Sequence, residues 1–298
     1  MQAFSYVSAR TLSEAADILA REGDQAKCLS GGTDLIVFLR EGRRSAKVVV
    51  DVKGIPELNQ LSYSPKEGLT IGAAVPLHRI YNDAQVIEHY PGLIDAATLI
   101  GGIAIQGRAT LGGNVCTASP AGDSIPILIA YETTCIVASR NVTKAIPLRE
   151  VLRGAGPHGA AAGRAPGRTQ AAAAEAQLRR CYLRFTPRNE NGHRRDPARV
   201  RWSCSTRIRC ASSARASRSA RWPPTPLFVP EAGAALTGQP VSDEVIEAAA
   251  RAAQAAARPI TDMRGSGRTA QASIVRHDQA RVVEGDRTSA WRLVIRHW

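Results

Sequence analysis

Two glycine pairs set the tightest constraint on how this chain folds. "CLSGGTDLIVFLREG" runs from Cys28 to Gly42, and "RATLGGNVCTASPAGD" runs from Arg108 to Asp123. Both pairs sit where a short apolar run gives way to helix-like text. Glycine adopts φ > 0 at little cost and lets a backbone approach another group closely. A single pair of this kind reads as an ordinary turn. Two pairs at equivalent junctions suit a ligand with two phosphates, one for each loop. No G-x-G-x-x-G follows a strand, which disfavours a Rossmann site. No G-x-x-x-x-G-K-[ST] occurs, so the chain is not a P-loop NTPase. In the first loop Thr33 and Asp34 are placed to cap the next helix while free N–H groups at its start face an anion. Asp34 has the wrong charge for a direct phosphate contact, so its expected job is capping or bonding a hydroxyl.

The text around the loops is regular α/β over residues 1–150. "TLSEAADILAREG" predicts a helix with Ser13 as N-cap and Gly23 as stop. "AKCL" and "AKVVVDV" predict strands, with the apolar helix "DLIVFL" between them. "LSYSPKEGLTIGAAV" predicts a hairpin about a Pro-Lys-Glu-Gly turn. Helical text runs from about Leu77 to Ile105; a helix at "SIPILIAY" and strands at "TCIVAS" and "KAIPL" follow the second loop. After Glu150 the texture changes, and only "CYLRFTPRNE" and the stretch from "PTPLFVP" to a helix after Ser242 read as globular.

Charge divides along the same line. Residues 1–150 carry 14 Lys and Arg against 15 Asp and Glu, whereas residues 151–298 carry 25 against 11. The net +13 is therefore a property of one half and is not read as a nucleic-acid footprint. The N-terminal text has no signal-peptide pattern, and no apolar run approaches the roughly 20 residues of a membrane helix. The six cysteines are scattered, with no C-x-x-C, so no zinc or iron–sulfur site is indicated and they read as reduced cytosolic thiols. Cys116 is expected to be a buried structural thiol rather than a reactive one. His78 and His89 have no triad or metal partner in view.

The two loops together with "LTIGAAVPLHRI", "YLRFTPRNE", "PTPLFVPEAGAAL" and "ARPITDMRGS" resemble the FAD-binding subunits of molybdenum hydroxylases, such as the medium subunit of carbon monoxide dehydrogenase and the flavin domain of xanthine dehydrogenases. The resemblance implies an α+β fold: a two-subdomain FAD-binding domain of the PCMH (vanillyl-alcohol-oxidase-like) type, then a C-terminal α+β domain. It divides the chain into FAD subdomains at 1–53 and 54–153, an irregular stretch at 154–180, a C-terminal flavoprotein domain at 181–266 and an irregular tail at 267–298. It implies that Leu29, Ser30, Gly31, Gly32, Thr33, Asp34 and Leu35 wrap the FAD diphosphate. Thr110, Gly112, Gly113 and Asn114 would meet it from the other subdomain. Asp123 matches an acidic position that binds the adenosine portion, although its carboxylate could equally cap the helix that follows. Arg184 matches a basic position near the flavin, or is a plain surface strand residue. The implied cofactor is FAD alone, with molybdopterin and iron–sulfur clusters of the 2Fe–2S type held by a large and a small partner subunit. Electrons would pass from those clusters through FAD to an external acceptor, in the cytoplasm, with no metal ligand and no acid–base side chain in this chain. The rivals are a stand-alone FAD oxidase and a non-functional remnant.

The irregular stretches can be tested with the genetic code alone. "NGHRR", from Asn191 to Arg195, can be written AAT GGA CAT CGC CGx; moved by one nucleotide this reads Met-Asp-Ile-Ala. The resemblance implies such a strand at that point. "RAPGRTQA" likewise conceals Glu-Leu-Leu-Val-Glu-Leu-Lys-Leu, an alternating strand, and "SARWPPTP" conceals "GAVAPTP". Compensating frameshifts are therefore expected at about 154–180 and 191–222, with another after Ser266. The Arg surplus is then an artefact of reading GC-rich DNA out of frame. The stretch 191–222 is expected to be exposed or disordered, since its arginines have almost no carboxylates to pair with. Strand structure is expected to return only near Pro224.

Overall fold

The computed structural model describes residues 1–119, 122–139, 143–154, 165–170, 180–184, 200–205, 210–214, 227–236, 239, 242–256, 281–285 and 290–294. The chain divides into two units: 1–86, 100–119 and 132–173 form the first, and 87–99, 120–131 and 174–298 the second.

The first unit opens with β1 (Ser5–Ser8), α1 (Leu12–Glu22), β2 (Ala26–Leu29), α2 (Leu35–Arg40) and β3 (Val48–Asp51). β3 lies between β1 and β2 and is parallel to both. Its "VVVD" is buried throughout, as a central strand covered on both faces requires. α1 starts two residues earlier than expected. Thr11, not Ser13, is the N-cap; its hydroxyl accepts from the Glu14 N–H, and Glu14 accepts in turn from the Arg10 N–H. The T-x-x-E spacing of a capping box was present to show this. Gly23 ends the helix at φ +54. Ala15, Ile18 and Leu19 bury against Val48, Val50 and Ile55, forming the core of this α/β layer.

The rest of the first unit is built on an antiparallel sheet. β4 (Leu61–Ser64) and β5 (Gly68–Gly72) make the expected hairpin, closed at Gly68 with φ +80. α3 (Leu77–Tyr81) follows, then α6 (Ile103–Gln106) and α7 (Leu111–Thr117) from the later segment. β6 (Thr134–Ala138) and β7 (Thr143–Pro147) pair with each other, and α9 (Leu148–Gly154) comes next. β8 (Ala165–Gln170) fills the slot between β5 and β6, completing the order β4-β5-β8-β6-β7.

The second unit contains α4 (Ala84–His89, of which its last residues fall here), α5 (Pro91–Thr98) and α8 (Ser124–Ala130). Tyr90 and Tyr131 flank the two latter helices and meet with ring centroids 5.0 Å apart. Every residue of α8 is buried, because α5 and the strands β9 (Arg180–Arg184), β10 (Val200–Ser205) and β11 (Cys210–Ala214) surround it. β12 (Leu227–Val229) completes the antiparallel order β12-β11-β10-β9. α10 (Pro230–Leu236) packs on α11 (Asp243–Ala256), and β13 (Arg281–Gly285) pairs with β14 (Ala290–Val294).

These strands correct one expectation. β8 lies inside 154–180, β10 and β11 inside 191–222, and the β13–β14 pair inside the tail, so strand structure does not wait for Pro224. The physical reason lies in the neighbours. β5 and β6 present unpaired backbone groups to one slot, and any segment that reaches it supplies the missing N–H and C=O partners whatever its side chains. The fit at β8 is irregular. Pro166 stands in a central strand, where it has no N–H to give, and the register shifts at Ile136/Val137 to take up the extra residue.

Candidate functional site

The two glycine loops come together within the first unit. Strand β2 delivers Ser30, Gly31 and Gly32, and α2 begins just beyond, at Leu35. The second loop reaches α7 through Thr110, which is 3 % exposed and forms an isolated antiparallel bridge with Pro76. The contact is backbone on backbone. A Cβ placed on Gly31 would lie 2.2 Å from the Arg108 carbonyl oxygen, and one on Gly112 would lie 2.5 Å from Ala73 Cβ. Those two glycines are therefore required by the protein's own packing. Gly32 is required by its conformation, φ +76. Gly113 differs from all three, since a Cβ there would meet only Thr110 Oγ1, at 3.0 Å.

Among the described residues, no hydrogen bond uses the N–H of Gly31, Gly32 or Thr33. Three consecutive free N–H groups in a turn form a concavity suited to an anion. Ser30 Oγ lies 3.0 Å from the Ala73 carbonyl oxygen and 3.0 Å from Thr110 Oγ1, which accepts from the Gly113 N–H at 3.0 Å. Asn114 donates its N–H to the Thr110 carbonyl at 3.1 Å. Leu29 and Leu35 pack on Leu39, Ala46 and Val49, and the Leu29 side chain also lies beside Gly32.

Asp34 occupies the N-cap position of α2, but its side chain makes no cap bond, which corrects the capping expectation. The Thr117 side chain, at the far end of α7, is the polar neighbour that favours its charged form. Asp34 is exposed as a residue, yet protein crowds its carboxyl. That partial desolvation raises its pKa, opposed by the Thr117 side chain and the positive charge of Arg44. Arg44 itself stacks over the Phe38 ring at 5.2 Å.

Asp123 and Arg184 belong to the second unit. Asp123 is buried at the N-cap position of α8 and makes no cap bond, so helix capping is not its role. Arg184 ends β9, in register with Arg201 of β10; its side chain lies outside the described residues.

Three thiols surround the base of the cradle: Cys28 on β2, Cys116 on α7 and Cys135 on β6. Burial pushes Cys28 up to about 11 and Cys135 to about 12, and raises Cys116 further with help from the neighbouring thiols. The thiolate is the nucleophile, so these groups are inert near neutrality. Iodoacetamide at pH 8 is expected to leave all three unmodified in the native chain and to alkylate them once urea is added. Peptide mass mapping reads the outcome, and native-state labelling at Cys116 would contradict it.

Residues 2–163 match the family model for the FAD binding domain in molybdopterin dehydrogenase, and residues 219–268 match that for the CO dehydrogenase flavoprotein C-terminal domain. The chain belongs to this molybdopterin dehydrogenase flavoprotein family. Within it, the chain is 32% identical over 152 residues to the putative xanthine dehydrogenase FAD-binding subunit of Escherichia coli, covering 51% of this chain and 52% of that one. It is 28% identical over 146 residues to the carbon monoxide dehydrogenase medium chain of Hydrogenophaga pseudoflava, covering 48% and 50%. The chain thus spans about half the length of the curated relatives it matches. The fold likeness extends further. The carbon monoxide dehydrogenase structure from Hydrogenophaga pseudoflava superposes with TM-score 0.82 at 24% identity, over 93% of this chain and 95% of that one. Both family models leave residues 164–218 and 269–298 unmatched. No helix among the described residues is long and apolar enough to cross a membrane.

Proposed function

We propose that this chain is the FAD-binding subunit of a multi-subunit molybdenum hydroxylase. The observation that carries this is the joining of both glycine loops in one unit, inside the segment that matches the flavin family, with free N–H groups at Gly31, Gly32 and Thr33. Those residues would hold the diphosphate of FAD, with Gly113 left bare so that the ligand can approach the backbone. Bound FAD would supply the two-electron to one-electron exchange between clusters and acceptor. The chain's own residues bind and orient: the cradle is neutral and built from peptide groups, so it holds a diphosphate without a lysine. Asp123 and Arg184 are proposed contacts to the adenosine portion and to the flavin. The flavin subdomains are proposed at 1–53 and 54–153 and the C-terminal domain at 181–266, with a molybdopterin large subunit and an iron–sulfur small subunit as partners and the cytoplasm as location.

Purified chain is expected to show a flavin absorption spectrum and to take up FAD far more tightly than FMN, because a cradle made by two loops needs both phosphates. Equal affinity for FMN would sink the assignment. Gly113→Leu is expected to abolish flavin uptake while leaving the far-UV circular dichroism unchanged. Retained flavin in that variant would remove Gly113 from the site. A second reading, a remnant without flavin, is favoured by the unmatched residues 164–218; colourless protein that does not reconstitute would support it.

A further inference from the structure

The Ser30 and Thr110 hydroxyls form a chain whose direction is fixed. A carbonyl oxygen only accepts, so the bond between Ser30 Oγ and the Ala73 carbonyl uses the Ser30 proton. The Ser30–Thr110 contact could run either way by distance alone. With the Ser30 proton committed, Thr110 must donate to Ser30. Thr110 Oγ1 accepts meanwhile from the Gly113 N–H. The sequence of bonds is therefore Gly113 N–H to Thr110 Oγ1, Thr110 O–H to Ser30 Oγ, and Ser30 O–H to the Ala73 carbonyl. Each hydroxyl carries one proton, and both are consumed inside the protein.

We infer that Ser30 and Thr110 are positioning residues: their hydroxyls latch the two glycine loops to each other and to the Gly72–Val75 corner, and neither donates to the ligand. The latch is set where the chain segments already touch. The Leu77 N–H donates to the Ala109 carbonyl at 2.9 Å, and the Ala74 N–H donates to the Leu58 carbonyl at 2.8 Å, so the corner is itself anchored. Apart from the hydroxyls, Gly31 meets Arg108 through backbone packing. The first loop is thus held to the start of α7, and the free N–H groups keep their spacing before any ligand arrives. This preorganisation lowers the cost of ordering on binding.

The ligand arm of this inference rests on the proposed FAD function; the second arm does not. In the full-length chain, Ser30→Ala, Thr110→Val and their double variant are compared with Thr110→Ser, which keeps the hydroxyl. Each single loss is expected to weaken FAD binding by about tenfold, the scale of one hydrogen bond at a site where a partner is left unpaired. The double variant is expected to be no weaker than either single one, because breaking one link breaks the chain. Thr110→Ser is expected to bind within about twofold of the parent. In the ligand-free chain, amide exchange at Gly113 is expected to accelerate in Ser30→Ala, although Ser30 is remote from it in sequence. Hydroxyls that act as separate donors to the diphosphate would instead give additive losses and unchanged exchange in the free chain, and that result overturns the inference. Parent protein that takes up no FAD overturns the proposed function, while the exchange arm still decides the latch.

Discussion

Gly31→Ala is expected to cost about 3 kcal/mol or more of stability, at the upper end of the range for overpacking a close-packed site, and to yield protein without flavin. The added Cβ would sit 2.2 Å from the Arg108 carbonyl oxygen and 3.0 Å from Ala109 Cα. All the nearest atoms are backbone, so no side chain can swing aside. The two loops must part, and the Ser30–Thr110 contact and the Pro76–Thr110 bridge go with them. Urea melts of Gly31→Ala and Gly113→Ala, followed by flavin content, separate the two kinds of glycine. Gly113→Ala meets only the Thr110 hydroxyl, at 3.0 Å, and should melt between Gly31→Ala and the parent. Equal midpoints for Gly31→Ala and the parent would show that the loops do not touch as described.

Restoring the reading frame across about 154–180, 191–222 and the end of the chain is expected to have the opposite effect. We propose that these stretches are frameshifted, on three observations. Moving one nucleotide yields the strand text that the resemblance implies; both family models leave 164–218 and 269–298 unmatched; and a central strand there carries a proline. Pro166 stands in the central strand β8, where it has no N–H to give. A repaired β8 would alternate apolar and polar residues between β5 and β6, as a half-buried strand should. The repaired chain is expected to melt higher, by about 2–4 °C for each kcal/mol recovered, and to lose most of the +13 charge. Resequencing the locus reads the cause directly. An intact frame, with salt-dependent DNA binding by the chain as written, would make the arginines a nucleic-acid surface instead.

The first 150 residues were legible because their signals are local. Glycine pairs, the "VVVD" strand and the "SPKEG" turn each determine a few dihedral angles, and the structure places an element at each. What was not legible depends on neighbours far away in the chain. β1, "SYVS", has too little apolar content to announce itself and exists because β3 offers it an edge. The helical text from Leu77 to Ile105 becomes four short helices, broken where Pro91 and the glycines at 101–102 interrupt it. β8, β10 and β11 were invisible because their text carries no strand period, and what the structure describes there is backbone pairing with neighbours distant in the chain. In the site, the loops could be named from the text, and Gly31 and Gly113 could not be told apart. One glycine faces a backbone carbonyl 77 residues away and the other only the side-chain hydroxyl of Thr110, and only the folded arrangement distinguishes them.

The slot between β5 and β6 also has a consequence in time. The parallel sheet β1-β3-β2 needs nothing beyond Asp51, so it can close as soon as those residues leave the ribosome. The five-stranded sheet cannot. β5 is made by Gly72, yet its partner β8 begins only at Ala165, which at ordinary synthesis rates is about 10 s later. Throughout that interval β5 carries a bare strand edge, joined by that of β6 once Ala138 is made, and those edges are where a chaperone, or a neighbouring nascent chain, would first take hold.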